Sequence, residues 1–192
     1  MSKFEPSDHA VRFVGRLRQL RDRNERGALA CLRRGFDPSN ALRTCPAWSV
    51  VRSLGGDIGR QGDSAYVRIA ALFATHAKES DAYNFGETCH AIALADAEDR
   101  TEIPKSFETR FRRLLTSPDA KDLAEQLRSW VRLAASRQHP VGINYERLFD
   151  DVDRWDRSAD SIRVRWACSF WHSGSNADDV AKPEISNQPA TA

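Results

Sequence analysis

Apolar residues recur every three or four positions along most of this chain, which is the period of an amphipathic helix. The first stripe follows Ser7, a residue type that caps helix N-termini. Its members are Ala10, Val11, Val14, Leu17 and Leu20. Arg12, Arg16 and Arg23 fall on the opposite face of the same segment. The pattern therefore predicts a first helix that buries one side and presents arginines on the other.

The same period predicts four more helices in the first half of the chain. One runs through NERGALACLRRG and is expected to end at Gly35, in the left-handed conformation that closes many helices. FDPSNALRTC is predicted as a loop, and Pro46 as the first turn of a short helix in PAWSVVRSLG. The next two helices cover about 64–77 and 86–97.

The second half continues in the same way. Ser106 is the predicted cap of a helix in SFETRFRRLLTSPD, and a long helix extends from near Pro118 to Gln138. INYERLFDDVDRW and SIRVRWACSFW are predicted as two further helices. Aromatic residues crowd this last part of the chain, and we expect them in the core or at a subunit interface. They are Trp155, Trp166, Phe170 and Trp171.

Alternating β-branched runs, the mark of strands, are nearly absent. The predicted fold is therefore all-α, an elongated bundle of about eight helices. It consists of one bundle or of two sub-bundles, 1–103 and 104–173. Residues 174–192 are polar and without period, which predicts a disordered tail.

Composition narrows the class of protein. The chain has 192 residues, 41% hydrophobic and 29% charged, which is typical of a globular domain. Arginine supplies 24 of its 29 basic residues, and its planar guanidinium suits phosphate oxygens. Coding bias also enriches arginine, so the count alone leaves a nucleic-acid function open. No apolar run approaches the roughly 18 residues of a membrane span, and we expect a cytoplasmic protein without a membrane partner.

The sequence lacks the common motifs of catalytic sites. The sequence has no glycine-rich phosphate loop, no HExxH and no nucleophile elbow, and its four cysteines lack metal-ligand spacing. Asp150 and Asp153 share a helix face and remain a candidate pair for a metal nuclease, against an interpretation as a solvated face with local ion pairs. We therefore predict a protein that is not an enzyme, with no catalytic residue, no bound metal, no cofactor and no small-molecule substrate.

Several segments, in this order and spacing, resemble a known family, the small subunit of the type I-E CRISPR Cascade complex (the CasB family). They are FVGRLRQLRDRNERGALACLRRG, PAWSVVRSLG, RFRRLLTSPDAKDLAEQLRSWVRLA, INYERLFDDVDRWD and VRWACSFW. The resemblance covers about 1–173. It implies an all-helical, non-catalytic subunit that contacts the backbone and large subunits, a second copy of itself, the crRNA and target DNA. The implied function in antiviral defence is to stabilise the R-loop while guide pairing reads the sequence.

Basic residues within the resembling segments are the predicted nucleic-acid-binding residues. They are Arg33, Arg34, Arg52, Arg110, Arg113, Arg128 and Arg132. Arginines on rigid helices neutralise phosphates without sequence preference. The pattern departs from the family near NFGETCHAIALA, where Glu87 and His90 stand in place of an expected basic residue. The alternative is a helical protein–protein adaptor or regulator whose arginines only keep it soluble.

Overall fold

The computed structural model describes residues 5–36, 41–95 and 102–172. Helices make up most of these ranges, and a 3-10 turn, Arg34–Phe36, follows the second of them. They are α1 (Asp8–Asp22), α2 (Arg26–Arg33), α3 (Ala41–Ser53), α4 (Ala65–Thr75), α5 (Phe85–Leu94), α6 (Lys105–Leu115), α7 (Ala120–Ser136) and α8 (Tyr145–His172). Extended pairing within the described ranges is limited to one isolated bridge, Glu79 with Ile143. The all-α prediction is confirmed, while the predicted tail 174–192 lies outside the described residues.

The start of α1 is fixed to the far end of the chain. Ser7 caps the helix, its side chain accepting a hydrogen bond from the Ala10 amide as predicted. Asp150 on α8 in turn accepts from both the backbone N–H and the hydroxyl of Ser7, at 2.8 and 2.6 Å. The buried stripe of α1 consists of Ala10, Phe13, Val14, Leu17 and Leu20. Val11, predicted in that stripe, is 43% exposed.

Helix α4 lies at the centre of the fold. It is apolar on nearly every side, and a helix with that pattern is buried all round. Helices α1, α2, α3, α7 and α8 all contact it. Phe73, in its last turns, is fully buried and meets the ring of Tyr145 edge to face at 5.1 Å. Because α4 touches most of the other helices, it positions the surfaces that they present to solvent.

Helices α5 and α8 approach each other at backbone distance. A Cβ at Gly86 would lie 2.1 Å from the carbonyl oxygen of Trp166, so only glycine fits there. Asn84, which caps α5, also donates to the Ser169 hydroxyl at 2.8 Å. His90 Nδ1 donates to the Phe170 carbonyl at 2.7 Å. These bonds fix the register of the two helices.

The two helices predicted at the end of the chain form α8, which kinks at Ser158, where φ is −145° and ψ is 27°. The expected break is therefore a kink within one helix. Asp151 holds the two halves together, accepting from Trp166 Nε1 at 2.7 Å and from Arg165 at 2.6 Å. Each of the helices α1 to α8 contributes buried residues to one core cluster, which extends along the chain from Ala10 to Phe170. The division into sub-bundles at 103 and 104 remains a prediction.

Three predicted helix ends are wrong. Gly35 is not left-handed, because α2 passes into the 3-10 turn, where Gly35 allows Ala47 to approach to 3.1 Å of its Cβ position. Pro46 lies inside α3, which begins at Ala41 within the segment predicted as a loop. Ser106 lies inside α6, whose N-cap is Pro104. The Pro104 carbonyl accepts from the Glu108 amide at 3.3 Å, so the hydrogen bonding of α6 starts two residues before Ser106.

Candidate nucleic-acid interface

The end of α2 carries two of the predicted arginines. Arg33 and Arg34 are both exposed, and Arg33 Nε donates to the Ala74 carbonyl at the end of α4, at 2.6 Å. A main-chain carbonyl orients the guanidinium without cancelling its charge. Gly35 seats this corner against α3, as its close approach to Ala47 shows.

Helix α7 carries the second pair on one face. Its inner side is buried through Leu123, Leu127 and Trp130, so that Arg128 and Arg132 share a face one turn apart. Arg132 is exposed and Arg128 is half-buried. The same face begins with Lys121 and Glu125, which line a shallow groove together with Gly35, Asp63, Val67, Arg68 and Ala124. The groove brings the corner after α2 beside the first turns of α7.

Helix α6 presents the third group. Arg110 and Arg113 are exposed, whereas Phe111 and Leu114 between and beside them are fully buried. Phe111 joins α6 to the α7 residue Trp130 and stacks on Phe170 of α8, at centroid distances of 6.4 and 3.9 Å. The two arginine-bearing helices therefore share one aromatic core, which holds their outer faces in fixed relation.

Arg52 belongs to a different part of the surface. It lies exposed in the last turn of α3, and its carbonyl accepts from the Gly55 amide at 2.9 Å. Arg16 of α1 donates to a carbonyl in the same turn, that of Leu54. Arg52 thus adjoins α1. Arg12 and Arg16 are absent from the predicted nucleic-acid-binding residues, although their i, i+4 spacing on the outer face of α1 is a usable signal.

The carboxylates of the nuclease alternative are engaged elsewhere. Asp150 is 3% exposed, and both its oxygens accept hydrogen bonds from Ser7. Asp153 is exposed and pairs with Arg157 one turn along the helix, at 3.1 Å. Within 5–36, 41–95 and 102–172, no group of three or more metal-ligating side chains forms. The geometry makes Asp150 a structural anchor of α1.

Cys89, the neighbour of His90, is not activated in this fold. Cys89 is fully buried, and burial raises the pKa of its thiol. The neighbouring His90 is engaged with the Phe170 carbonyl, and Glu87 accepts from the Tyr83 amide at 2.6 Å. A thiol whose pKa rises is a poor nucleophile at neutral pH.

No helix of the described chain is both long and apolar enough to cross a bilayer.

Comparison with known proteins identifies the family to which the chain belongs. The family model of the CRISPR-associated protein Cse2 matches residues 28–171. The chain belongs to the Cse2 family. A Cse2 protein from Thermus thermophilus is 31% identical over 127 residues, which is 66% of this chain and 68% of the relative. The resemblance drawn from the sequence is thereby confirmed.

Solved structures agree with that assignment. The crystal structure of CasB from Thermus thermophilus superimposes with a TM-score of 0.64 at 25% identity, over 85% of this chain and 97% of that one. A chain of a CRISPR RNA-guided surveillance complex superimposes with the same TM-score of 0.64 at 24% identity, over 86% and 92%. That second likeness shows the Cse2 fold alone.

Proposed function

We propose that this Cse2 protein is a non-catalytic subunit of a Cascade surveillance complex and stabilises the R-loop by binding nucleic-acid backbones. The observation that carries the proposal is the set of exposed arginines on α6 and α7, two helices joined by one aromatic core. Of the predicted nucleic-acid-binding residues on these helices, Arg110, Arg113 and Arg132 are exposed. Rigid guanidinium groups neutralise phosphates without reading bases. Guide pairing then supplies the sequence specificity.

The second half of α8 supports a place among other subunits. Val164, Cys168 and Trp171 are exposed at positions that share one helix face, with Val164 63% and Trp171 37% exposed. Arg112 lies over the Trp171 ring at 5.4 Å. Aromatic residues and arginine are enriched at protein interfaces. We propose that the backbone and large subunits, or a second copy of the chain, cover this face in the assembled complex, with crRNA and target DNA on the arginine faces.

The proposal is tested by equilibrium binding of the purified chain to labelled single- and double-stranded DNA of two unrelated sequences across a salt series. We expect both sequences to bind alike. The double variant Arg128→Ala with Arg132→Ala should lower the slope of log K against log salt by about one per lost contact. The matched control removes two arginines elsewhere, Arg23→Ala with Arg157→Ala.

Equal losses in the control and in the α7 variant would show a general charge effect and would contradict an interface on α7. Absence of binding at any salt concentration, together with normal assembly into a reconstituted complex, would favour the adaptor alternative. The same reconstitution shows whether the α7 variant shortens the lifetime of the R-loop.

A further inference from the structure

A polar cleft separates α1 from the turn that follows α3. His9, Arg12, Phe13, Arg16, Leu54, Gly55 and Tyr66 line it. Its volume is about 210 Å³, while a water molecule occupies about 30 Å³ of liquid. The cleft therefore has room for a polyatomic group. It is separate from the arginine faces of α6 and α7, and only Arg52 of the predicted residues adjoins it.

Arg16 is seated in the cleft by the main chain. One of its terminal nitrogens, Nη1, donates to the Leu54 carbonyl. A Cβ at Gly55 would lie 2.1 Å from that nitrogen, and Gly55 has a φ of +70°. Residue 55 must therefore lack a side chain, both for its own backbone and for the guanidinium to lie against the turn. The turn and the arginine fit each other as a built unit.

Arg12 is oriented in the same way, since its Nε donates to the Asp8 carbonyl at 3.1 Å. It lies one turn before Arg16 on the same face of α1. A guanidinium has five N–H groups, and each of these two uses one on a carbonyl. Both arginines thus keep four donors and their full charge in fixed positions.

Carboxylates near the cleft compensate this charge only in part. Among the described residues, neither Arg12 nor Arg16 forms an ion pair. Burial, and then the charges of Asp153 and Asp57, raise the pKa of Tyr66, so these two carboxylates lie near its phenol. Asp153 is paired with Arg157, and Asp57 accepts from the Gly59 amide. The side chains that line the cleft include two arginines and no carboxylate, which leaves the cleft cationic.

We propose that the cleft between α1 and the turn after α3 binds a phosphate group through Arg12 and Arg16. Forked arginine donors match phosphate oxygens in geometry and charge. The proposal rests on the proposed function for the source of that group, which is either an internal phosphodiester of a bound strand or a terminal phosphate monoester. The chemistry at the two arginines is the same for both sources.

The first experiment titrates the full chain with inorganic phosphate, with chloride keeping the ionic strength constant, and follows the arginine Nε–H and Gly55 amide signals by NMR. We expect saturable shifts at Arg12, Arg16 and Gly55. Arg16→Gln should raise the dissociation constant at least about tenfold. Arg23→Gln, an exposed arginine at the end of the same helix, should leave it unchanged. Near-ultraviolet circular dichroism checks that both variants fold.

The second experiment distinguishes the sources with DNA strands that end in a 5′-phosphate or a 5′-hydroxyl. Tighter binding of the phosphorylated strand, lost in Arg16→Gln, indicates a terminal phosphate. Equal binding of both strands, weakened equally by Arg16→Gln, indicates an internal phosphodiester. If Arg16→Gln changes the binding of neither strand, the cleft is not a phosphate site, while the proposed function stands.

If the wild-type chain binds no strand and still assembles normally into a reconstituted complex, the proposed function is contradicted, and the phosphate titration decides separately whether the cleft binds phosphate. The proposed phosphate site would be overturned by NMR shifts that grow linearly with phosphate concentration, or by shifts that persist in the Arg16→Gln variant.

Discussion

Helix α1 carries two arginine pairs that differ in their partners. Arg12 and Arg16 bond to carbonyls of Asp8 and Leu54. Arg18 instead meets Glu79 at 2.8 Å and Glu146 at 2.7 Å, and Arg21 meets Glu79 at 3.0 Å. The hydrogen bond to Glu79 is the largest of the effects that raise the pKa of Arg18.

The difference shows what an arginine contributes in this fold. The pair with carboxylates is neutralised and ties α1 to the segment after α4 and to the start of α8. The pair with carbonyls is fixed in place but keeps its charge for a ligand. The same residue type on one helix therefore serves stability on one face and recognition on the other, and the partner decides which.

The largest expected change in the free energy of unfolding comes from Asp150, which anchors the start of α1. Asp150→Ala removes two charge-assisted hydrogen bonds from the start of α1 and should lower the free energy of unfolding by about 3 kcal/mol. Urea denaturation measures the loss. Asp153→Ala is the control, because its exposed ion pair contributes about 0.5 kcal/mol at most. Similar losses for both variants would mean that Asp150 does not anchor the helix.

The second comparison separates the two arginine pairs. Arg18→Gln leaves the half-buried Glu146 without its cation and leaves Glu79 with Arg21 alone. The side chain of Arg18 is 36% exposed, so the expected loss is about 1–2 kcal/mol after screening. Arg16→Gln should stay within about 0.5 kcal/mol, as is usual at the surface. The two melting curves, recorded under identical conditions, provide the test. A greater loss for Arg16→Gln would reverse the assignment of the two faces.

The smallest effect concerns the carboxylate that pairs with Arg165. Burial raises the pKa of Asp151 above its ordinary 3.8, against the lowering effects of Arg165 and Trp166. The folded state therefore keeps this proton to higher pH than the unfolded state does. As a result, the contribution of this carboxyl to the free energy of unfolding falls as pH rises from 3.8 through the folded pKa.

Asp151→Asn does not titrate, so its stability relative to the parent chain should increase across that window. Denaturation curves at a series of pH values give this difference. A relative stability that falls as pH rises would show instead that Arg165 and Trp166 dominate and lower the pKa.

The periodic spacing of apolar residues made the individual helices predictable. The stripe of α1 apart from Val11, the cap at Ser7 and the long helix α7 follow from local spacing, and the structure confirms them. Helix ends such as the one predicted at Gly35 depend on how neighbouring helices pack. The close approach of Ala47 to Gly35, for example, joins parts of the chain that no local pattern connects.

The candidate site was predictable only as a set of arginines. Sequence spacing places Arg128 and Arg132 on one face and Arg110 and Arg113 on another, and the seven selected residues remain predictions. Spacing cannot show that Arg16 reaches the Leu54 carbonyl or that Arg18 is neutralised by Glu79 and Glu146, since these partners are distant in sequence. Charge counts treat both arginines alike, and only the folded chain distinguishes them.

The contact of Gly86 with the Trp166 carbonyl has a consequence for motion. Because backbone touches backbone there, α5 and the second half of α8 cannot slide or loosen by side-chain rearrangement. The bonds from Asn84 and His90 lie on the same seam. We therefore expect the amides of this seam to exchange hydrogen through one shared opening of both helices rather than through independent fraying.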